Sequence, residues 1–266
     1  MLKKLMAQMG VGASKVDLVL DKQHVELGEE LKGFFRIEGG AVEQQINHIS
    51  AELIIQFYYR TQLYTHTVAT IPIASSFIIR PGESKELPFH YPLSARLPIT
   101  RNGISYHIKT RLDIADGIDD SDRDSVHVCP PERFNSIVRA LDMLRFREKL
   151  DSGKFNGSTQ EFEFSPTGVF NEKVQEVEFE AALEQDGIRL LLEVDMFQFL
   201  GFGEKELRQQ IFLRNEQLSD ARALSHHLEA VIQEMTQNPQ AYPASRYRSG
   251  LGGAIGSLVG DKVGIG

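Results

Sequence analysis

Along the first half of the chain, apolar and polar residues alternate with a period of two, interrupted at short intervals by Gly, Pro and Asn. Val16, Leu18 and Leu20 alternate with Asp17 and Val19, which predicts a strand. Leu27-Gly28-Glu29 predicts a turn, because Gly28 tolerates positive φ. Leu31–Ile37 is the second strand, with Gly33 marking a bulge or a close backbone approach. Gly39-Gly40 is a turn signal. Ile46–Tyr59 follows as a long strand, then Leu63–Ile73 and Phe77–Arg80, the last ended by Pro81-Gly82-Glu83. Glu86–Tyr91 is short, and its Pro88 suits a sheet edge better than a centre. Asn102-Gly103 is the best turn dipeptide in the chain. Ile104–Ile114 then alternates cleanly, and Val126 and Val128 close the set. About eight or nine strands on short turns, with no helix among them, predict an antiparallel sandwich.

The period changes after Pro130-Pro131, which can stop a strand and stiffen a linker. Phe134, Ile137, Val138, Leu141 and Leu144 share one helical face, so a helix is expected over 132–149. Alternation returns at Gln160–Phe164 and at Val174, Val177, Phe179 and Leu183. Gln185-Asp186-Gly187 predicts a hairpin into Ile188–Val194, and Leu207–Leu213 supplies another strand. A final helix is expected over Ser219–Thr236, with Asn238-Pro239 ending it. The fold expected is therefore mainly β: two antiparallel β-sandwich domains, a linker helix and a C-terminal helix. The expected divisions are an N-terminal amphipathic segment (1–12), a first β domain (13–130), a linker helix (131–153) and a second β domain with its helix (154–238). The remainder, 239–266, is glycine-rich and expected to be a flexible tail.

Composition narrows the function classes. The chain has 266 residues, 41% of them hydrophobic and 25% charged, enough for two medium domains with real cores. A net charge of −8 argues against nucleic acid as a partner. One cysteine, Cys129, excludes an internal disulfide framework and fits a cytoplasmic setting. No apolar run approaches the roughly 18 residues of a membrane span. Two terminal segments are candidate contact surfaces. Leu2, Leu5, Met6 and Met9 share a face beside Lys3 and Lys4, which fits a helix docked on the body or a peripheral membrane contact. Tyr242, Arg246, Tyr247 and Arg248 form a basic, aromatic head on the tail, suited to a partner protein or a membrane surface.

Catalytic chemistry finds no foothold. The run Asp113, Asp116, Asp119, Asp120, Asp122, Asp124 lacks the glycine and the terminal glutamate of a helix–loop–helix calcium loop. Calcium held between sandwich loops stays as an alternative to a solvated or hydrogen-bonded loop. The eight histidines have no metal-ligand spacing, and Cys129 has no base beside it in sequence. No GxSxG, GxxxxGK[ST] or strand-linked GxGxxG is present, so no catalytic residue, metal or cofactor is assigned.

Val16–Leu20 (VDLVL), Glu26, Gly28 and Glu29 with Gly33, Gly39–Ile46 (GGAVEQQI), Leu112–Ile114 (LDI) and Asp120–Asp124 (DSDRD) together resemble the bacterial sporulation-control family, the stage-zero protein M family. The opening Lys3–Asp17 fits as well. The likeness is close over the first 150 residues and looser over 155–235. It implies arrestin-like β-sandwich domains, no catalytic centre, and a regulatory role exercised through protein–protein contacts. An unpaired sheet edge would further allow a homodimer or strand addition by a partner.

Overall fold

The computed structural model describes residues 12–101, 103–115, 118–197, 204–247 and 250–259. The chain is mainly β, its sheets are antiparallel, and it divides into two compact units.

The first unit comprises the described residues up to Ser94 together with Ser105–Val128. Its strands are β1 (Lys15–Leu20), β2 (His24–Glu26), β3 (Glu30–Glu38), β4 (Gln44–Tyr59), β5 (Gln62–Ala74), β6 (Phe77–Ile79), β7 (Ser84–Pro92), β8 (Ile104–Ile114) and β9 (Asp120–Cys129). One sheet has the order β1-β3-β7; the other runs β2-β9-β8-β4-β5, with β6 also on β4. The period-two pattern does the sorting: Val16, Leu18, Phe35, Ile37 and Phe89 are buried from one sheet, Leu53, Ile55, Phe57, Ile108 and Leu112 from the other. Phe35 meets Phe89 edge-on, 5.3 Å between centroids. Pro88 lies on β7, an edge strand, where its missing N–H costs no ladder bond.

Gly33 is a close approach: a Cβ there would sit 2.2 Å from the Val19 carbonyl oxygen of β1. Gly39 and Gly40 serve the same purpose, and do not form the reverse turn expected of them. A Cβ at either would fall within 2.0–2.1 Å of the carbonyl oxygens of Arg80 and Gly12 respectively, where the chain passes from one sheet to the other. Glycine is needed at these positions for space, not for φ.

The second unit contains Ala95–Ile104 and the described residues from Cys129 onward. It holds α1 (Glu132–Met143), β10 (Phe146–Glu148), β11 (Lys154–Phe155), β12 (Gln160–Pro166), β13 (Val174–Leu183), β14 (Gly187–Phe197), β15 (Glu204–Arg214), α2 (Asn215–Leu218) and α3 (Ala221–Gln237). The sheet order is β10-β12-β13-β14-β15, with β11 on β12. Phe134 of α1 packs edge-on against Phe162 at 4.8 Å and near Phe179 at 5.8 Å, while Phe162 and Phe179 stack at 5.3 Å. Leu224, Leu228, Ile232 and Met235 form the buried stripe of α3. Asp220 caps that helix by accepting from the backbone N–H groups of Arg222 and Ala223.

Two expectations are corrected. The helix over 132–149 ends at Met143: Arg145 takes φ of 64°, and Phe146–Glu148 becomes a strand paired with β12. Its apolar residues suited a helix up to Leu144, but Phe146 finds its burial in the sheet. The tail is also ordered where it is described. Leu251, Ala254, Ile255 and Val259 are buried. The Ile255 N–H donates to the Ala181 carbonyl, and the Ile255 carbonyl accepts from the Gln160 N–H. Glycine density predicted freedom, yet Gly250, Gly253 and Gly256 take positive φ and bend the segment into place.

Candidate functional site

The sheet of the second unit has two unlike faces. Phe162, Phe164, Val177, Phe179, Leu192 and Val194 are buried on one. The intervening residues, Glu161, Glu163, Glu176, Glu178, Glu180 and Glu193, fall on the other by simple alternation. Register then brings them together. Glu163 lies opposite Glu178, Glu178 opposite Glu193, and Glu193 opposite Arg208, a row crossing β12, β13, β14 and β15. Like charges directly opposed across strands are destabilising.

The protein relieves part of this repulsion. The Lys149 ammonium donates to Glu163 at 3.1 Å and also to Glu176. Burial opposes its charge, but the hydrogen bonds to Glu176 and Glu163 outweigh that and hold its proton well above the ordinary lysine range. Arg208 Nε donates to Glu193 at 2.6 Å. Asn156 donates to Glu161 at 3.0 Å, and Glu180 accepts from the Thr159 hydroxyl and the Leu251 N–H at 3.0 and 2.7 Å. Glu178 is left with the largest penalty: burial, then the charges of Glu176, Glu193, Glu163 and Glu161, push its carboxyl up to about 8. Burial also raises Glu161, with Glu180 next in effect, and raises Glu193 despite Arg208.

The cleft among these groups encloses only about 10 Å³, so it does not hold a small molecule. Among the described residues, Glu163, Glu176 and Glu178 are the one trio of acidic, histidine or cysteine side chains whose ligand atoms converge, within 4.8 Å. Lys149 already sits on two of the three. The C-terminal segment covers the adjoining part of the same face: Leu251 and Ala254 pack on Ala182 and Leu191, with Tyr247 alongside. The half-buried acidic row continues on this face beyond the strap, from Glu180. A larger cavity of about 610 Å³ lies among Met143, Arg145, Val169, Phe170, Arg222, Ser225, His226 and Glu229, where the Ser225 hydroxyl donates to the Arg222 carbonyl.

Of the aspartates of the sequence motif, Asp113 sits on β8 and Asp120, Asp122 and Asp124 on β9, while Asp119 lies just before β9. Asp120 and Asp122 accept from the Val16 and Leu18 N–H groups of β1 at 2.8 and 3.0 Å, so alternate side chains of β9 close the free edge of β1. Asp119 accepts from the Ile114 N–H, and Asp113 accepts from Asn47. Burial, then the hydrogen bond and charge of Asp122, then Asp17, push Asp124 up to about 7. Asp119, Asp120 and Asp122 each spend one carboxylate oxygen on a backbone donor. Asp116 lies outside the described residues.

Leu2, Lys3, Lys4, Leu5, Met6, Met9 and Arg248 also lie outside the described residues. Tyr242 and Tyr247 are half-buried and Arg246 is exposed. The Tyr242 carbonyl accepts from the Arg208 N–H at 3.0 Å, which holds this stretch on β15. Cys129 is half-buried at the end of β9. The glutamate row was not singled out from sequence, although the alternation in Gln160–Phe164 and Val174–Leu183 that predicted strands also marks each Glu as outward. Pairing of the strands was the missing information. Gln160 offered no signal at all, yet it is fully buried and bonds Ile99 twice and Gly153 once.

Comparison with known proteins gives a consistent set of matches. The sequence profile of the SpoOM protein family matches residues 2–197. The sporulation-control protein spo0M of Bacillus subtilis (strain 168) is 30% identical over 258 residues, 88% of this chain and 98% of that protein. The crystal structure of Spo0M from Bacillus subtilis superposes with a TM-score of 0.68 at 28% identity, covering 84% of this chain and 99% of the other.

Proposed function

The chain belongs to the SpoOM protein family, and from that premise we propose that it is a sporulation-control regulator acting by protein–protein contact and not by catalysis. The observation that carries this reading is the half-buried glutamate row. Glu163, Glu178 and Glu193 stand opposed on neighbouring strands, and a scaffold alone has no use for a pairing that lowers its stability. Such a face suits a basic segment of a partner, whose Lys or Arg side chains would neutralise carboxyls that now share Lys149 and Arg208. No described helix is long and apolar enough to cross a membrane.

The test is binding of a Lys/Arg-rich peptide to the full chain and to its Glu163→Gln/Glu178→Gln/Glu193→Gln variant, by calorimetry. Saturable binding by the parent, weakened at least tenfold in the variant and by added salt, is expected. Equal binding by both proteins rejects the glutamate face. The same variant, placed in a Bacillus subtilis strain lacking its own spo0M, should fail to restore normal spore counts where the parent chain restores them.

A further inference from the structure

We propose that β5 is a self-association edge, through which two copies of this chain join their first units into one continuous sheet. Among the described residues β5 has a strand partner on one side only, β4, and it is 13 residues long. Its sequence, QLYTHTVATIPIA, contains no Asp, Glu, Lys or Arg. An edge of that length and neutrality is the form that natural sheets avoid unless it is used for pairing.

The other edges of the described sheets are each closed by an identifiable device. β2, β6, β10 and β11 are only two or three residues long. β1 has its Val16 and Leu18 N–H groups taken by Asp120 and Asp122. β7 carries Lys85, Glu86 and Pro88. β15 carries Lys205, Glu206, Arg208 and Arg214 and is bridged at Leu207 by Pro243. β5 carries no charged residue, its single proline, Pro72, comes near the end, and its regular stretch Gln62–Thr67 precedes a bulge at Val68.

The geometry of the β4–β5 hairpin says which groups are on offer. Arg60 and Thr61, with φ of 47° and 69°, make a two-residue turn that sets Tyr59 against Gln62. The pair flanking such a turn exchanges both ladder bonds, so Gln62 and Tyr64 bond toward β4. Leu63, Thr65 and Thr67 then direct their backbone N–H and C=O groups outward. Leu63 is 49% exposed, and Thr65 and Thr67 are exposed too.

Charge selects the occupant. A chain with a net charge of −8 repels its own copy over most of its surface. Antiparallel pairing of β5 with itself sets neutral residues against neutral ones in every register, and it satisfies two-fold symmetry with one strand type. A second copy is therefore the partner this edge fits.

Sedimentation of the full chain from about 1 to about 200 μM tests the proposal. The expected result is a shift from 29.9 kDa toward twice that mass as concentration rises. Thr65→Lys/Thr67→Lys, which places like charges on both copies, should weaken association at least tenfold with unchanged circular dichroism and Tm. Thr67→Pro, which deletes one outward N–H, should act in the same direction. Hydrogen exchange at Leu63 and Thr67 should slow with concentration in the parent and not in the lysine variant. A chain that stays monomeric throughout, including one that instead takes up an added foreign strand, overturns the proposal. A dimer indifferent to the lysine variant does so equally.

Discussion

Glu178 is where the cost of the acidic face is concentrated. Folded, it keeps its proton to about pH 8; unfolded, it loses it near the ordinary value of 4.5. Between those values the folded state binds more protons, so this residue's contribution to stability falls as pH rises from about 4.5 to about 8 and then levels off. Glu178→Gln removes that loss. Urea titrations should find variant and parent close at pH 4.5. At pH 8.5 the variant should be more stable by about 1–2 kcal/mol, a figure reduced from the full shift because solvent screens a partly exposed group. Parallel pH profiles for the two proteins would refute the assignment. Gln160 is the opposite case, a neutral residue whose bonds are all internal. Gln160→Ala strands the Ile99 N–H and the Ile99 and Gly153 carbonyls in the interior, with an expected cost of about 2–4 kcal/mol in the same titration. A loss under 1 kcal/mol would mean that water replaces the side chain.

Among the elements, the C-terminal strap and the β1 edge depend most on their surroundings. A chain ending at Ser249 loses buried Leu251, Ala254, Ile255 and Val259, together with the bonds from Ile255 to Ala181 and Gln160. At about 1.5–3 kcal/mol for each large apolar side chain, less what the shortened chain regains in entropy, the expected loss is at least about 3 kcal/mol. A dye that reports exposed apolar surface should bind more strongly, since Ala182 and Leu191 are uncovered. Unchanged stability would restore the expectation of a flexible tail. Asp120→Ala/Asp122→Ala opens the edge of β1, and aggregation should set in at lower protein concentration than for the parent, as light scattering reads it. These elements also show how far local sequence reaches. β8 matches its expected span, Ile104–Ile114, because strict alternation over eleven residues has one reading. The helix at 132 overran by six residues because no Gly or Pro punctuates 144–149, and the strand over Phe146–Glu148 is fixed by its pairing with β12.

For the whole molecule, the governing quantity is net charge. With −8 overall and a row of opposed glutamates in the second unit, added salt should stabilise the chain by screening repulsion. A Tm that climbs by a few degrees between about 10 mM and about 300 mM NaCl at pH 8, and climbs less in the triple glutamine variant, is expected. A Tm that falls with salt would show that ion pairs such as Lys149 with Glu163 outweigh the repulsion. The amino-acid sequence by itself determined the β class, most strand spans and the family likeness. Those rest on side-chain period and turn chemistry, which act over a few neighbouring residues. Only the tertiary structure decided that Glu163, Glu178 and Glu193 form one row, that Asp120 and Asp122 close the edge of β1, and that a glycine-rich segment is a buried strap. Each depends on which strands become neighbours and in what register, and no local pattern carries that information.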